Sequence, residues 1–402
     1  MEMEPRTVLL KSELLFKGIK IENIVDGPEQ GHFLVQSIEN DAIVDSVARK
    51  SGAGPAGGFF AQFRDQFQVN VPLQEKMVSR SDLFMNPPPP GGKFQVYKKN
   101  DEDVLEEYHR LVKIPTPSFY DDLYLEKELH GVGSGIAFNK IALVHGKNCV
   151  ATTVNQKCMY WNHGHQCTFC AIEQSIQEGV VQEKTPGQLI AFTERARQEN
   201  RVAHYTLTSG TQEGPDGGSG EYLPIVEALK DNFKYPIHVQ VAPVRDMKYL
   251  DRLYYTGVDN VGIHLEVHPE SLRKQVCPGK ATISLGLFKK NWKYAVDLFG
   301  DNQVESYLLV GLGETRNQFE HAVELMLQHE VIPFIVPARP IKNTMLDENH
   351  LPSHEVLFEY YKHAGKRMHE QGMRPWKAVA GCVRCGACSA IKEATLAAEK
   401  FP

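Results

Sequence analysis

The chain has 402 residues, of which 42% are hydrophobic and 23% charged, with a formal net charge of −6. This composition is ordinary for a globular protein with one large and one smaller domain, and the negative charge argues against a nucleic-acid or anionic membrane partner. The acidic start Met1–Arg6 does not resemble a signal peptide, and no apolar run approaches the roughly 18–20 residues that cross a bilayer. We therefore expect a cytoplasmic protein whose clustered cysteines are metal or redox ligands rather than disulfides.

The N-terminal third shows no regular alternation of elements. Ser51–Gly58 and Asn86–Gly92 are rich in glycine and proline and predict loops. The alternating segment Phe67–Val71 predicts a strand, and Asp101–Val112 predicts a helix. Residues 1–140 are therefore expected to form a small α+β extension, in which the first loop either closes over a cavity as a lid or simply connects strands.

Residues 141–345 alternate short apolar runs with helical patterns. The runs are rich in β-branched residues, as expected for strands buried on both faces. The six predicted strands are Cys149–Val154, Ala203–Ser209, Ile237–Val241, Val261–Val267, Val304–Val310 and Ile332–Val336. The predicted helices are 185–201, Glu221–Asn232, Met247–Thr256, Leu285–Phe299, Thr315–His329 and His354–Glu370. Six strand–helix units predict an α/β fold, a partial (β/α)6 barrel of the TIM type, with a doubly wound open sheet as the alternative. Residues 346–402 add a helix and a cysteine-rich segment.

Three cysteines, Cys158, Cys167 and Cys170, lie on the loop after the first predicted core strand. In a parallel barrel the functional loops follow the carboxyl ends of the strands. Three thiolates bind three irons of a four-iron cluster and leave the fourth iron open for chemistry. A zinc site or thiols without metal are the alternatives, and zinc would require a further ligand such as His163 or His165.

A second trio, Cys382, Cys385 and Cys388, has the Cys-x2-Cys-x2-Cys spacing of the first three positions of a ferredoxin-type motif. The spacing predicts an auxiliary iron–sulfur cluster, with a zinc site or a redox-active thiol set as alternatives. A trio with an open iron would anchor substrate or donate sulfur, whereas a fully ligated one would relay electrons. The candidates for a fourth ligand are Cys277, Cys149, Ser389 and the substrate. Both of these cysteines are expected to be structural core thiols.

With Phe169 directly before Cys170, the first cysteine loop resembles that of the radical SAM superfamily, although eight residues instead of three separate Cys158 from Cys167. The resemblance implies a [4Fe-4S] cluster on the three cysteines, with S-adenosylmethionine (SAM) bound to the fourth iron. It also implies reductive cleavage of SAM to a 5′-deoxyadenosyl radical that abstracts hydrogen from a small-molecule substrate, with a reductant such as flavodoxin or ferredoxin.

Three polar turns at predicted strand ends are similar to the SAM-binding turns of that superfamily. They are Ser209-Gly210-Thr211, Glu266, and the turn that contains Gly311, Gly313 and Glu314. The resemblance implies that the first turn faces the methionyl amine through its backbone and that the last lines the adenine.

Further segments narrow the resemblance to a biotin-synthase-like radical SAM group of nitrilase-linked bacterial gene clusters, over roughly residues 50–392. These segments are 52–58, 151–154, 207–211, 278–280, 307–313, 336–341 and 382–388. The reaction of that group is open, so the resemblance indicates cofactor and fold more than substrate.

Three residues near the predicted strand ends are candidates for substrate contact. Arg339 is a fixed cation that would bind a carboxylate or phosphate, or else a neighbouring helix. Gln240 and His264 would contact a small ligand if they face inward, and Lys280 is expected to be a solvated loop cation.

The resulting hypothesis is a radical SAM enzyme whose hydrogen abstraction is followed by sulfur insertion, rearrangement or oxidation. No catalytic side chain is assigned. A non-catalytic iron–sulfur electron carrier and a zinc-dependent barrel hydrolase are the rival functions. The first needs no large barrel, and for the second the strand ends offer no Asp/His set.

Overall fold

The computed structural model describes residues 5–17, 20–21, 59–63, 67–72, 83–86, 94–99, 105–125, 135–341, 343–346 and 353–400. Ser51–Gly58 and most of Asn86–Gly92 lie outside the described residues. Among the described residues, no helix is long and apolar enough to span a membrane.

A curled half-barrel sheet forms the centre of the molecule. In the part of the chain that the structure describes, it has seven strands, six of them parallel and one antiparallel at the edge. The strands are β9 (Leu143–His145), β10 (Cys149–Thr153), β11 (His204–Thr208), β12 (Ile237–Val241), β13 (Asn260–Ile263), β14 (Val304–Val310) and β15 (Ile332–Pro337). Their spatial order follows the chain order without a reversal. A doubly wound sheet reverses direction at a switch point, so the partial barrel is confirmed over that alternative.

Helices on the outer face follow the parallel strands. They are Pro186–Gln198, Leu223–Asn232, Lys248–Thr256, Leu285–Phe299, Arg316–Leu327 and His354–Glu370. Thr185 caps the first of these helices by accepting a hydrogen bond from the Gln188 backbone N–H, with Pro186 at its first position. Proline lacks an N–H that this position does not need, so the sequence specifies this helix start.

Two predicted elements differ from the structure. The helix predicted over Asp101–Val112 is wrong from Leu105 onward, where the strand β6 (Leu105–Lys113) pairs antiparallel with Phe94–Lys99 and Phe59–Phe63. Residues 101–104 lie outside the described residues. Sheet pairing across the chain overrides local helix propensity here. The strand predicted over Val261–Val267 ends at Ile263.

The N-terminal extension packs against the C-terminal segment. A sheet built from β1 (Lys20–Ile21), β2 (Phe59–Phe63), β3 (Phe67–Val71), β4 (Leu83–Asn86), β5 (Phe94–Lys99) and β6 lies beside helix α1 (Pro5–Lys17). The short strands β7 (Leu123–Leu125) and β8 (Gly135–Ala137) pair antiparallel before the half-barrel begins. Helix α1 contacts His354–Glu370 and the C-terminal helix Ile391–Lys400. The two chain ends therefore contact each other, and Lys11 of the first helix pairs with Glu393 of the last.

Candidate functional site

A cavity of about 240 Å³ lies inside the half-barrel. Because side chains alternate along a strand, one face of each strand points into the cavity and the other packs on the helices. Cys149 precedes Ala151 and Thr153 on the inward face of β10, and both of these line the cavity. The cavity is also lined by cysteines of both trios, namely Cys158, Cys167, Cys170, Cys382 and Cys388. The two cysteine groups therefore share one space.

The first trio lies at the carboxyl ends of the strands. Cys158 precedes the short helix Met159–Asn162, and its backbone N–H donates to the Glu173 carboxylate at 3.0 Å. The Met159 N–H donates to the Thr211 carbonyl at 2.8 Å. Backbone hydrogen bonds thus join the cysteine loop to the turn after β11.

Gly210 is the closest contact between these two loops. A Cβ at this position would lie 1.9 Å from the Lys157 carbonyl oxygen and 3.0 Å from the Cys158 Cα. Backbone atoms cannot make room for such a group, so only glycine allows the turn Ser209–Thr211 to lie against the cysteine loop. All three residues of the turn line the cavity, as Phe169 does.

Burial and neighbouring thiols affect the cysteines of this loop. Burial raises the pKa of Cys158. A hydrogen bond with the Cys277 thiol, together with burial, raises the pKa of Cys167. Cys277 is fully buried beside Cys167 in one apolar cluster, so the structure places it with the first trio and not with the second.

A buried ion pair lies beside the first trio. The Lys280 ammonium donates to the Glu266 carboxylate, and both side chains line the cavity. Although burial opposes its charge, Glu266 and the nearby thiols Cys167 and Cys277 hold the pKa of Lys280 above its ordinary value. The expectation of a solvated lysine is therefore wrong. No local pattern in the sequence signals the pair, because Glu266 and Lys280 stand on different loops.

The third polar turn is held by its own side chain. The Glu314 carboxylate accepts hydrogen bonds from the Gly311 N–H at 2.8 Å and the Leu312 N–H at 2.9 Å. Gly311 and Gly313 have positive φ angles of 93° and 100°, which glycine adopts without strain. Gly311, Gly313 and Glu314 are not among the described residues that line the cavity, so their role towards SAM stays a prediction.

The second trio lies at the opposite, amino-terminal end of the strands. Cys382 and Cys385 belong to the short helix Gly381–Cys385, and Cys388 follows its end at Gly386. The Val383 N–H donates to the Glu305 carboxylate at 3.1 Å. This segment contacts β11, β12, β13 and β15 and so forms the floor of the half-barrel.

The N-terminal extension fixes the same segment from outside. The Lys11 ammonium donates to the Gly386 carbonyl at 2.6 Å and pairs with Glu393 at 3.0 Å. The Asn70 N–H donates to the Ala387 carbonyl at 2.8 Å. Lys11 and Glu393 are almost fully buried, so the extension and the tail are built into the floor of the site.

Cys382 receives two polar contacts from the barrel wall. Its sulfur lies 2.9 Å from the Tyr307 hydroxyl and 3.4 Å from Gln240 Nε2. The Tyr307 ring stacks on His264, with 4.1 Å between ring centroids. Both Gln240 and His264 line the cavity, which answers the question of whether they face inward.

Cys149, one of the candidates for a fourth ligand of the second trio, lies beside that trio in the structure. Its thiol is hydrogen-bonded to Cys385 and lies 3.4 Å from the Thr206 hydroxyl. The hydrogen bond with Cys149 lowers the pKa of Cys385. An apolar strand predicts a plain core cysteine, and only the barrel geometry brings this position to the C-terminal segment.

Several buried polar atoms of the half-barrel have no hydrogen-bond partner among the described residues. They are His204 Nδ1, both His238 ring nitrogens, Asn260 Oδ1, His264 Nε2, Glu305 Oε1 and Arg339 Nε. Burial lowers the pKa of His204 to about 3 and holds the pKa values of His238 and His264 well below 6.5. These imidazoles are neutral at physiological pH, so the interior of the half-barrel carries their polar groups without their positive charge.

Arg339 lines the cavity but is already engaged by the N-terminal extension. Its guanidinium donates to the side-chain and backbone oxygens of Asn70. The expected alternatives were an anion clamp and a contact with a helix. The guanidinium contacts Asn70 of β3 and, at 3.5 Å, the Leu15 carbonyl of helix α1. Among its nitrogens, Nε has no partner within the described residues, so its N–H can serve a ligand.

His163 and His165 are exposed on the first cysteine loop, and His163 lies 3.7 Å from Glu213. Neither is among the described cavity-lining residues. Within the described residues, no three or more His, Cys, Asp or Glu side chains are gathered into a formed metal site. The donor sets nevertheless fit iron–sulfur chemistry, because the thiols form no disulfides and five of the six trio cysteines line a common cavity.

Comparisons with known proteins show which family the core of the chain matches. Residues 163–326 match the family model described as the Radical SAM superfamily. No curated protein matches the chain. Among solved structures, methylornithine synthase is 13% identical over 62% of this chain and 69% of that one, with a TM-score of 0.45. A radical SAM methyltransferase from Sphaerobacter thermophilus is 13% identical over 74% of this chain and 78% of that one, with a TM-score of 0.44. HydG, a maturase of the [FeFe]-hydrogenase, is 14% identical over 57% of this chain, with a TM-score of 0.43, and the match spans 52% of its own length.

Proposed function

The chain carries a radical SAM domain and is an enzyme of that type, and from this premise we propose how its residues divide the work. Cys158, Cys167 and Cys170 bind the [4Fe-4S] cluster and leave one iron for SAM. The observation that carries this assignment is that the three thiols line one cavity with the turn Ser209–Thr211. When bound, the cluster supplies the electron that divides SAM into methionine and a 5′-deoxyadenosyl radical, which takes hydrogen from the substrate.

The residues around the first trio bind and orient SAM. The Ser209 hydroxyl donates to Glu221 at 2.9 Å, and the Thr211 carbonyl accepts from Met159. The turn is therefore fixed before a ligand arrives, and its remaining backbone groups are available to the methionyl part. Glu266 and Lys280 place one charge of each sign at the cavity wall, which suits a zwitterionic amino acid.

The substrate is a small molecule held between the two cysteine groups. Gln240 and His264 line this space, and Arg339 contributes its Nε–H, which has no partner within the described residues. One hydrogen bond from a buried guanidinium fits a carbonyl, a carboxylate or a phosphate oxygen. Enclosure within the half-barrel keeps water from a substrate radical.

Cys382, Cys385 and Cys388 bind a second iron–sulfur cluster at the floor. The support is that Cys382 and Cys388 line the same cavity as the first trio. A reductant of the flavodoxin or ferredoxin class supplies the electrons. Sulfur insertion, rearrangement and oxidation are the three fates open to the substrate radical after hydrogen abstraction, and the narrower assignment to the nitrilase-linked group stays a prediction.

The test is anaerobic reconstitution of the full chain, followed by iron and sulfide counts and an assay for 5′-deoxyadenosine from SAM and dithionite. We expect about eight irons per chain, about four per cluster, and SAM-dependent 5′-deoxyadenosine. The variant C158A/C167A/C170A should lose about four irons and all SAM cleavage. The control Cys277→Ala removes a buried thiol beside Cys167 and should keep both the iron content and the SAM cleavage of the wild type. Zinc without iron, or a reconstituted chain that does not cleave SAM, would overturn the proposal.

A further inference from the structure

The floor of the half-barrel brings a fourth thiol to the second trio. Cys149 is the first residue of β10, and it shares the inward face of that strand with Ala151 and Thr153. Its thiol is hydrogen-bonded to Cys385. The turn before β10 is also near this thiol, since a Cβ on Gly146 would be 3.6 Å from the Cys385 sulfur.

The C-terminal segment is held in this position by close contacts. A Cβ on Gly381 would lie 2.9 Å from the His238 ring and 3.0 Å from Asn260 Oδ1. Glu305 accepts from the Val383 N–H below the barrel wall, while Lys11 binds the Gly386 carbonyl from the other side. Cys149 therefore meets Cys385 in a rigid arrangement and not on a loose tail.

The other candidates for a fourth ligand are engaged elsewhere. Cys277 is buried beside Cys167, at the carboxyl ends of the strands. The fully buried Ser389 hydroxyl accepts from the Ile391 N–H at 3.4 Å and is hydrogen-bonded to Tyr361. Among the described cysteines outside the two trios, Cys149 alone contacts the second trio.

We propose that Cys149, Cys382, Cys385 and Cys388 together form a four-thiolate iron–sulfur centre that closes the floor of the half-barrel. The proposal deepens the second cluster of the proposed function by naming its remaining ligand. Four protein thiolates fill the four iron positions of a [4Fe-4S] cluster. The centre then exchanges single electrons with molecules bound in the cavity, on the side where Cys382 lies. Because no iron is left open, it neither binds substrate at iron nor transfers sulfur.

The test uses the full-length variant C158A/C167A/C170A, which isolates the second centre. After anaerobic reconstitution we expect about four irons per chain and, on reduction, an electron paramagnetic resonance signal that neither SAM nor cyanide alters. Adding Cys149→Ala to this variant should reduce the count to about three irons, or to none, because one iron loses its thiolate. Adding Cys277→Ala, the matched buried cysteine, should leave the count and the signal unchanged.

Several outcomes would overturn the inference. They are an unchanged iron count and signal after Cys149→Ala, a signal of the isolated centre that cyanide shifts, and zinc in place of iron. Cys149→Ala in the otherwise unchanged chain should keep the SAM-responsive signal of the first trio, which shows that the fold survives. If it does not, the cyanide measurement still decides between an open and a closed centre.

The inference and the proposed function fail separately. Loss of SAM cleavage in the reconstituted wild-type chain would contradict the first site and leave a four-iron floor centre intact. A floor centre that keeps its iron without Cys149 would contradict the inference while SAM cleavage continues.

Discussion

The two cysteine trios sit at opposite ends of the same strands and are held in different ways. The first lies on a loop at the carboxyl ends, where backbone contacts such as Met159 to Thr211 position it. The second lies at the amino ends, where buried side chains including Lys11, Glu305 and Tyr307 hold it. Loops at the carboxyl ends change shape at little cost to the core. The loop at the carboxyl ends therefore suits an exchangeable ligand, and the segment at the amino ends suits a permanent one.

The largest expected effect concerns the backbone contact under the first trio. Gly210→Ala places a Cβ 1.9 Å from the Lys157 carbonyl, so the cysteine loop must move away from the turn. A displacement near 1 Å at a reacting centre costs about 100-fold in rate, and we expect at least that loss in 5′-deoxyadenosine formation. The floor centre should keep its iron.

Gly286→Ala is the matched control for this change. Gly286 lies in the helix Leu285–Phe299, and a Cβ there would meet nothing closer than 3.9 Å. Alanine favours a helix over glycine by up to about 1 kcal/mol, so activity and iron content should be unchanged. If Gly210→Ala cleaves SAM at the wild-type rate, backbone contacts do not position the first trio, and the two trios do not differ in how they are held.

The sequence predicts the barrel and the position of the first cysteine loop well because both depend on short-range patterns in the chain. The strands Ile237–Val241 and Val304–Val310 begin and end where the apolar runs do. The Cys158–Cys170 loop follows a strand, and that position alone places it at the carboxyl edge of a parallel sheet. Short-range patterns therefore determine this end of the molecule.

The floor is not predictable in the same way because distant segments build it. Cys149 and Cys385 are separated by most of the core, and nothing in the apolar run around Cys149 distinguishes it from a packed thiol. The contact of Lys11 with Glu393 joins the two ends of the chain. The strand Leu105–Lys113 is also specified by its partners and not by its own propensity.

The second prediction concerns the buried ion pair of Lys11 and Glu393 that holds the floor segment. Lys11→Met leaves Glu393 buried without its cation, and breaking a buried pair costs about 3–5 kcal/mol. We expect this loss in the free energy of unfolding, measured by denaturant titration, together with loss of iron from the floor centre. The first trio should keep its iron.

Two further variants check this interpretation. Lys11→Met combined with Glu393→Gln removes both charges and should restore part of the stability. Lys274→Met breaks the exposed pair with Glu270 and should change stability far less than Lys11→Met does, because water screens an exposed pair. If Lys11→Met and Lys274→Met lower the free energy of unfolding equally, the buried Lys11–Glu393 pair contributes no more than a surface ion pair.

The third prediction applies the same lysine-to-methionine change to the ion pair beside the first trio. Lys280→Met leaves the Glu266 carboxylate without its ion-pair partner at the cavity wall. The Lys280 side chain is 24% exposed, whereas Lys11 is fully buried, so we expect a smaller stability loss of about 1–3 kcal/mol. Because the pair faces the proposed SAM position, the SAM concentration for half-maximal cleavage should rise about tenfold, equivalent to about 1.4 kcal/mol. An unchanged SAM dependence would separate the pair from the cofactor.

The smallest expected effect is a shift in the reduction potential of the floor centre. Tyr307 places its hydroxyl 2.9 Å from the Cys382 sulfur, and donation to a thiolate favours the more negative, reduced state of a cluster. Tyr307→Phe should lower the midpoint potential by about 20–60 mV, the equivalent of a hydrogen bond of about 0.5–1.5 kcal/mol in a one-electron couple. Tyr205→Phe removes a buried hydroxyl that bonds Thr193 instead, and it should leave the potential unchanged in the same redox titration. A shift in midpoint potential that occurs only in Tyr307→Phe would show that Tyr307 acts through its contact with the Cys382 sulfur. Equal shifts in both variants would show that the potential responds to packing in general.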